Sequence, residues 1–325
     1  MSKVRKVTGF LFTIVFLAAM FCAVLFRQQI FDQVRVWQYQ PSSEISGLVK
    51  QSSMSDRGTF YFYLAHPALE DAGQFNQECR RAEPASALLG CYKPDSETIH
   101  IYNVNDSSLN GVEEVTAAHE MLHVAYSRLD KSKQEELSPL LEEAYGKVKT
   151  DELTERMEYY ERTQPGSREN ELHSILATEY SDIGDELEKY YQQYFINRNS
   201  VVELYDSYHG HFVELEKQAN ELSAQLESQR QSIEQSTKQY GVDLKNYNQD
   251  VESFNQKANS GGFSSQQEFS DQRDVLISRG NQLKQNYNSL SSQIEKYNAD
   301  VERINSMGRE IERFNNSLDS MKAME

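Results

Sequence analysis

Cysteine, proline and tryptophan are scarce in this chain of 325 residues, at three, six and one. Three cysteines are too few for a disulfide scaffold, so any core must be held by apolar packing. Apolar material is itself limited. Hydrophobic residues make up 38% of the chain and the mean hydropathy is −0.71, which leaves enough for one compact core and leaner segments around it. Basic residues also fall short, 33 against 50 acidic ones, for a net charge of −17. That balance excludes a nucleic-acid partner, because phosphate binding needs clustered Lys and Arg.

Long apolar runs are missing except for one. Residues 8–26 carry no charge and follow Lys3, Arg5 and Lys6. The run is long enough to cross a bilayer as a helix. The positive-inside rule then puts the N-terminus in the cytoplasm and everything from about residue 27 outside, as in a single-pass cell-membrane protein with the lipid bilayer as one partner. A cleaved signal peptide competes with this, but no small-x-small site ends the run. Phe21 before Cys22 is not the small residue that a lipoprotein signal needs. Cys79 and Cys91 remain as either a bridge closing a short loop or two buried thiols.

Four segments follow: a basic tip with a transmembrane helix (1–28), a stalk (29–54), a compact domain (55–200) and a C-terminal arm (201–325). The stalk holds Trp37, a Pro41 turn and a short helix at 43–53. Aromatic and β-branched residues predict a strand at 59–64, alternation predicts another at 98–104, and 85–92 offers a third. Apolar spacing at Val115, Ala118, Leu122 and Ala125 predicts a helix over 112–129, with further helices at 132–162, 168–183 and 185–209. Pro165 and Gly166 separate two of these, and Ser167 is placed to cap the second. In the arm, Leu226, Ile233, Tyr240, Tyr247 and Phe254 recur every seven residues, and the run from Leu283 to Ile311 alternates steps of four and three. A Gly261-Gly262 break between the runs predicts an antiparallel coiled-coil hairpin of two helices of roughly 50 residues. Its simplest use is as a structural arm that could carry a protein partner.

The chemistry concentrates at His119-Glu120-Met121-Leu122-His123. Histidines at i and i+4 stack on one helix face and can hold one ion together. Neutral imidazole suits Zn2+, and a catalytic site needs a third protein ligand and an open position for water. Glu120 is placed to act as general base toward that water. The bland alternative is two histidines satisfied structurally.

In this context the segment 98–104 followed by His119-Glu120-x-x-His123 resembles the strand and active-site helix of zincin-type zinc metallopeptidases. The metzincin continuation is absent after Val124. Asn170-Glu171-Leu172-His173-Ser174 is similar to the Asn-Glu-x-x-Ser/Ala segment of the gluzincins, and that likeness makes Glu171 the third metal ligand. Glu171, Ser174, Thr178 and Asp182 also share one polar stripe of their helix. His173 and Glu179 are the rival ligands, and His173 is an alternative stabiliser of a developing oxyanion. Ile175 departs from the pattern, which commonly has an Asp there to orient a metal-bound histidine. The resemblance also implies that 99–102 is the shelf on which an extended peptide or protein substrate lies. His66, His100, His209 and His211 read as structural.

The fold class expected is therefore α+β: a small, mainly helical zincin domain with a short sheet, one transmembrane helix before it and a long antiparallel coiled-coil hairpin after it. The expected function is extracytoplasmic peptide-bond hydrolysis through a zinc-activated water. The alternative is a non-catalytic cell-envelope scaffold whose arm binds a partner and whose zinc site is structural or vestigial.

Overall fold

The computed structural model describes residues 16–17, 20–80 and 88–324. They divide into two compact units, Met1–His211 with Phe314–Glu325, and Phe212–Arg313. The described chain is mostly helical, with one small sheet, which corrects the α+β expectation toward a predominantly helical protein. Much of the 8–26 run lies outside the described residues. Among the described residues no helix is long and apolar enough to cross a membrane. The expected transmembrane helix and single-pass membrane placement are accordingly not supported.

Residues 29–54 are not a free stalk. Helix α1 (Arg27–Gln38) carries charge where a membrane helix would not, and that charge ties it to the first unit. Arg35 donates to the carbonyl oxygens of Leu64, Ser96 and Glu97, and Arg128 donates to Asp32 and Glu97. Helix α2 (Ser43–Gln51) begins where Ser42 accepts from the Ile45 N–H, and it places Ile45 and Leu48 in the core. Trp37 stays exposed.

The strand predicted at 59–64 is instead helix α3 (Asp56–Leu64). Ser55 caps it by accepting from the Gly58 N–H, and Phe62 and Leu64 are wholly buried. Local β propensity loses here to tertiary context, since the helix brings its backbone at Gly58 against the carbonyl of Tyr194, where no side chain fits.

The sheet has three strands, β1 (Ala68–Glu70), β2 (Gly90–Lys93) and β3 (Thr98–Tyr102), in the order β1-β3-β2. β1 pairs parallel to β3 with Ala68 opposite His100, and β2 pairs antiparallel to it with Tyr92 opposite Ile99. Of the strand expected at 85–92, residues 85–87 lie outside the described residues. Ile99 and Ile101 point into the main core. On the opposite face Tyr102 meets Phe75 of α4 (Ala72–Glu78), and Cys79 and Cys91 form a disulfide beside them.

Helix α5 (Val112–Ser127) starts after Gly111, whose φ of +100° and close approach to Leu204 suit only glycine. It is buried on nearly every side rather than on one stripe, because α2, α3, β2 and β3 all pack around it, as does α8 (Arg168–Glu179). The helix expected at 132–162 is two, α6 (Lys131–Val148) and α7 (Asp151–Thr163). Thr150 breaks it by accepting from the Leu153 N–H. Ser167 precedes α8 without making a side-chain cap, and α8 ends at Glu179. The helix expected at 185–209 is also interrupted: α9 (Asp185–Tyr191) stops, Phe195 bridges to Met54, and α10 (Asn199–Asn259) begins.

The second unit is a pair of helices. α10 and α11 (Gln266–Leu318) pair antiparallel, with Tyr240 on Tyr287, Asp250 on Arg279 and Gln229 on Asp300. Gly280 lies against Tyr247, and three phenylalanines, Phe254, Phe263 and Phe269, close the end near the turn. The helices have 61 and 53 residues, roughly 90 and 80 Å at 1.5 Å per residue. They are compatible with the coiled coil that the heptads predict.

Candidate metal centre

One group of metal-ligating side chains stands out among the described residues: His119, Glu120 and His123 on α5, whose ligand atoms lie within 4.8 Å of one another. The two imidazoles sit 4.7 Å apart, centroid to centroid, as the i, i+4 spacing requires. α8 crosses α5 and brings Glu171 to them. Its Oε2 is 3.9 Å from His119 Nε2 and 3.8 Å from His123 Nε2. Ligands about 2.0–2.1 Å from a zinc ion can be at most about 4.2 Å apart, so these separations admit one ion between them.

His123 Nδ1–H donates to Asn170 Oδ1 at 3.1 Å, with Ser174 Oγ at 3.4 Å from the same nitrogen. That bond leaves Nε2 as the free lone pair facing Glu171. Asn170 therefore orients one histidine, while Ile175 is fully buried in the core and takes no part.

The electrostatics of the site suit a cation. Burial pushes Glu120 up to about 7, against the opposing pull of His123, with the Glu171 carboxylate adding to the rise. Burial also raises Glu171, although His123, Arg156 and a hydrogen bond from Tyr160 oppose it. Burial pulls His123 down, but Glu171 and Glu120 outweigh it and its pKa is raised. His119, buried and beside His123, is held well below the usual histidine range. Glu120 Oε2 and Glu171 Oε2 are both buried without a hydrogen-bond partner among the described residues. Two such oxygens in one place are costly unless a cation joins them.

Glu179 and His173 are occupied elsewhere. Arg156 grips Glu179 with two bonds of 3.0 and 2.5 Å. His173 is wholly buried among Tyr126, Tyr190, Tyr191 and Tyr194, with its Nε2 3.0 Å from the Tyr190 hydroxyl. His100 lies between Glu70 and Thr98, His209 pairs with Glu152, and His211 packs on Phe314.

The strand at 99–102 is not the shelf. β3 is central, with β1 on one side and β2 on the other. The strand beside α5 with an unpaired edge among the described residues is β2. Its Gly90 passes so close to α5 that a Cβ would stand 2.6 Å from Thr116 Cγ2 and 2.8 Å from Glu120 Oε1. The Tyr92 backbone N–H donates to the Glu120 carboxylate. Sequence reasoning did not single out Asn170, Gly90, Tyr92 or Tyr160. Only Asn170 had a local signal, its place next to Glu171.

The site can hold a metal ion through side chains of α5. Comparisons with family models, curated proteins and solved structures gave no match to this chain.

Proposed function

We propose that this chain is a zinc-dependent peptidase in which His119, His123 and Glu171 hold the metal and Glu120 is the general base. The observation that carries the reading is the pair of buried, unpartnered oxygens, Glu120 Oε2 and Glu171 Oε2, beside two imidazoles. Two nitrogens and a carboxylate are a set that zinc accepts. A bound zinc ion supplies Lewis acidity, acidifying water and polarising a peptide carbonyl. Glu120, beside the first histidine and within reach of both imidazoles, would accept a proton from water and return it to the leaving amine. Asn170 fixes the ring of His123, and the Tyr92 N–H holds one side of the Glu120 carboxylate. An extended peptide would add along the open edge of β2 by main-chain hydrogen bonding, which moves the shelf from β3 to its neighbour.

The second reading is a non-catalytic scaffold with a structural metal. The closeness of Glu120 to both histidines favours it, since a carboxylate there can close the site as a fourth ligand. Metal analysis and peptide hydrolysis with Glu120→Gln separate the two. A peptidase keeps its zinc and loses turnover by about 100-fold or more, whereas a scaffold loses zinc affinity. A purified chain that binds no zinc would sink both readings.

A further inference from the structure

β2 is four residues long, and three successive ones meet the site or its support. Gly90 lies against Thr116 and Glu120, and Tyr92 donates its N–H to Glu120. Between them, Cys91 is covalently joined to Cys79, the residue that ends α4. α4 is a firm anchor. Phe75 is fully buried against Tyr102, ring centroids 5.8 Å apart, and Asn76 exchanges bonds of 2.9 and 2.7 Å with the buried Ser320. β2 is therefore held by its ladder to β3 on one side and by the bridge to α4, and its other edge pairs with no strand among the described residues.

We propose that the Cys79–Cys91 bridge is a redox-controlled positioning element for Glu120. Oxidised, it clamps β2 against the carboxylate, and reduced, it leaves β2 held only by the β3 ladder, the Tyr92–Glu120 bond and the exposed Lys93–Glu78 ion pair. The proposal rests on the reading of Glu120 as general base. The reductant is a dithiol. One of its thiolates attacks Sγ of Cys91, the half-buried partner, and displaces Cys79 as a thiolate that takes up a proton. The second thiol of the reductant attacks the mixed disulfide and frees Cys91. The protein gains two electrons and two protons, and the reductant becomes a disulfide.

The test uses the full chain, loaded with zinc, with the exposed Cys22 replaced by Ser to prevent exchange. Peptide hydrolysis, zinc content and amide hydrogen exchange at Tyr92 are compared for the oxidised chain, the chain reduced with a phosphine, and Cys79→Ser/Cys91→Ser. The clamp requires kcat to fall about tenfold to a hundredfold on reduction. KM and zinc content should stay close to their oxidised values, Tyr92 exchange should rise by about tenfold, and reoxidation should restore both kcat and protection. Unchanged kcat and unchanged Tyr92 protection would overturn the proposal. So would loss of zinc or of helical circular dichroism on reduction, because the bridge would then merely hold the fold. If the oxidised chain hydrolyses no peptide, the peptidase reading fails on its own, and Tyr92 protection alone decides whether the bridge clamps β2.

Discussion

His123 and Asn170 are joined by a single hydrogen bond of 3.1 Å from ring Nδ1 to side-chain oxygen, and it settles which nitrogen of His123 is left for a metal. Outer partners of this kind typically contribute 10- to 100-fold in metal affinity. Asn170→Ala should therefore weaken zinc binding by about that factor, whereas Asn170→Asp, which keeps an acceptor, should hold it within about threefold. Competition titration against a chromophoric chelator reads both. Equal affinity in all three proteins would remove Asn170 from the site.

Glu171 and Glu179 lie two turns apart on α8, and their substitutions should separate cleanly. Glu171→Gln should lose zinc while the apo fold survives, since its Oε2 has no described partner to forfeit. Glu179→Gln strips Arg156 of its carboxylate, and breaking a buried pair costs about 3–5 kcal/mol. Arg156 keeps 31% of its side-chain exposure, so water shares its charge and the loss should fall at or below the lower end. Urea unfolding and zinc stoichiometry check the two together. Loss of zinc in Glu179→Gln with unchanged stability would reverse the assignment.

His173 is buried in its neutral form, its pKa pushed down to about 3 by desolvation and by His123. In the unfolded chain a histidine titrates near 6.5. Between those values the unfolded state binds a proton that the folded state refuses. The stability is thus intact above about pH 6.5 and declines as pH falls toward 3, by roughly 1 kcal/mol per pH unit from this residue. His173→Gln should flatten that limb. Denaturant midpoints of the metal-free proteins between pH 7 and 4 provide the measurement, and parallel curves would show that His173 is not responsible.

Gly90→Ala places a methyl 2.6 Å from Thr116 Cγ2 and 2.8 Å from Glu120 Oε1. Neither neighbour can retreat far, because Thr116 is tied to the Val112 carbonyl and Glu120 is packed in the helix. Overpacking of this kind costs about 1–3 kcal/mol. Gly90→Ala should lose that much in a urea titration, and Thr116→Ser in the same chain should recover part of it by removing the nearer methyl.

How much of this was legible depends on the range of the interaction. His119, Glu120 and His123 could be read because one helix at 3.6 residues per turn puts them together. Glu171 could be ranked because Asn170 and Ser174 flank it in a similar motif. The shelf was misplaced because strand order depends on β1 coming back beside β3, a pairing that the alternation in 98–102 does not encode. Residues 59–64 read as a strand from their aromatics, although Ser55 already stood in place to cap a helix. Arg156 and Tyr160 left no local trace, since their partners are distant in sequence. The bridge between Cys79 and Cys91 was one of two open readings, and only the packing of α4 against β3 brings the two cysteines together.

His211 and Phe314 stack with ring centroids 5.5 Å apart, although 102 residues separate them. The last stretch of chain then returns to α4, where Ser320 is buried on Asn76. In topological terms the hairpin is thus an insertion with its two ends side by side, and the first unit closes without it. Splicing residue 211 to 314 through a short flexible turn should yield a zinc-binding, cooperatively folding miniature, and the same seam should accept arms shortened by whole heptads. The unit that carries the metal site and its arm would then be interchangeable parts, free to diverge in length and in partner at different rates.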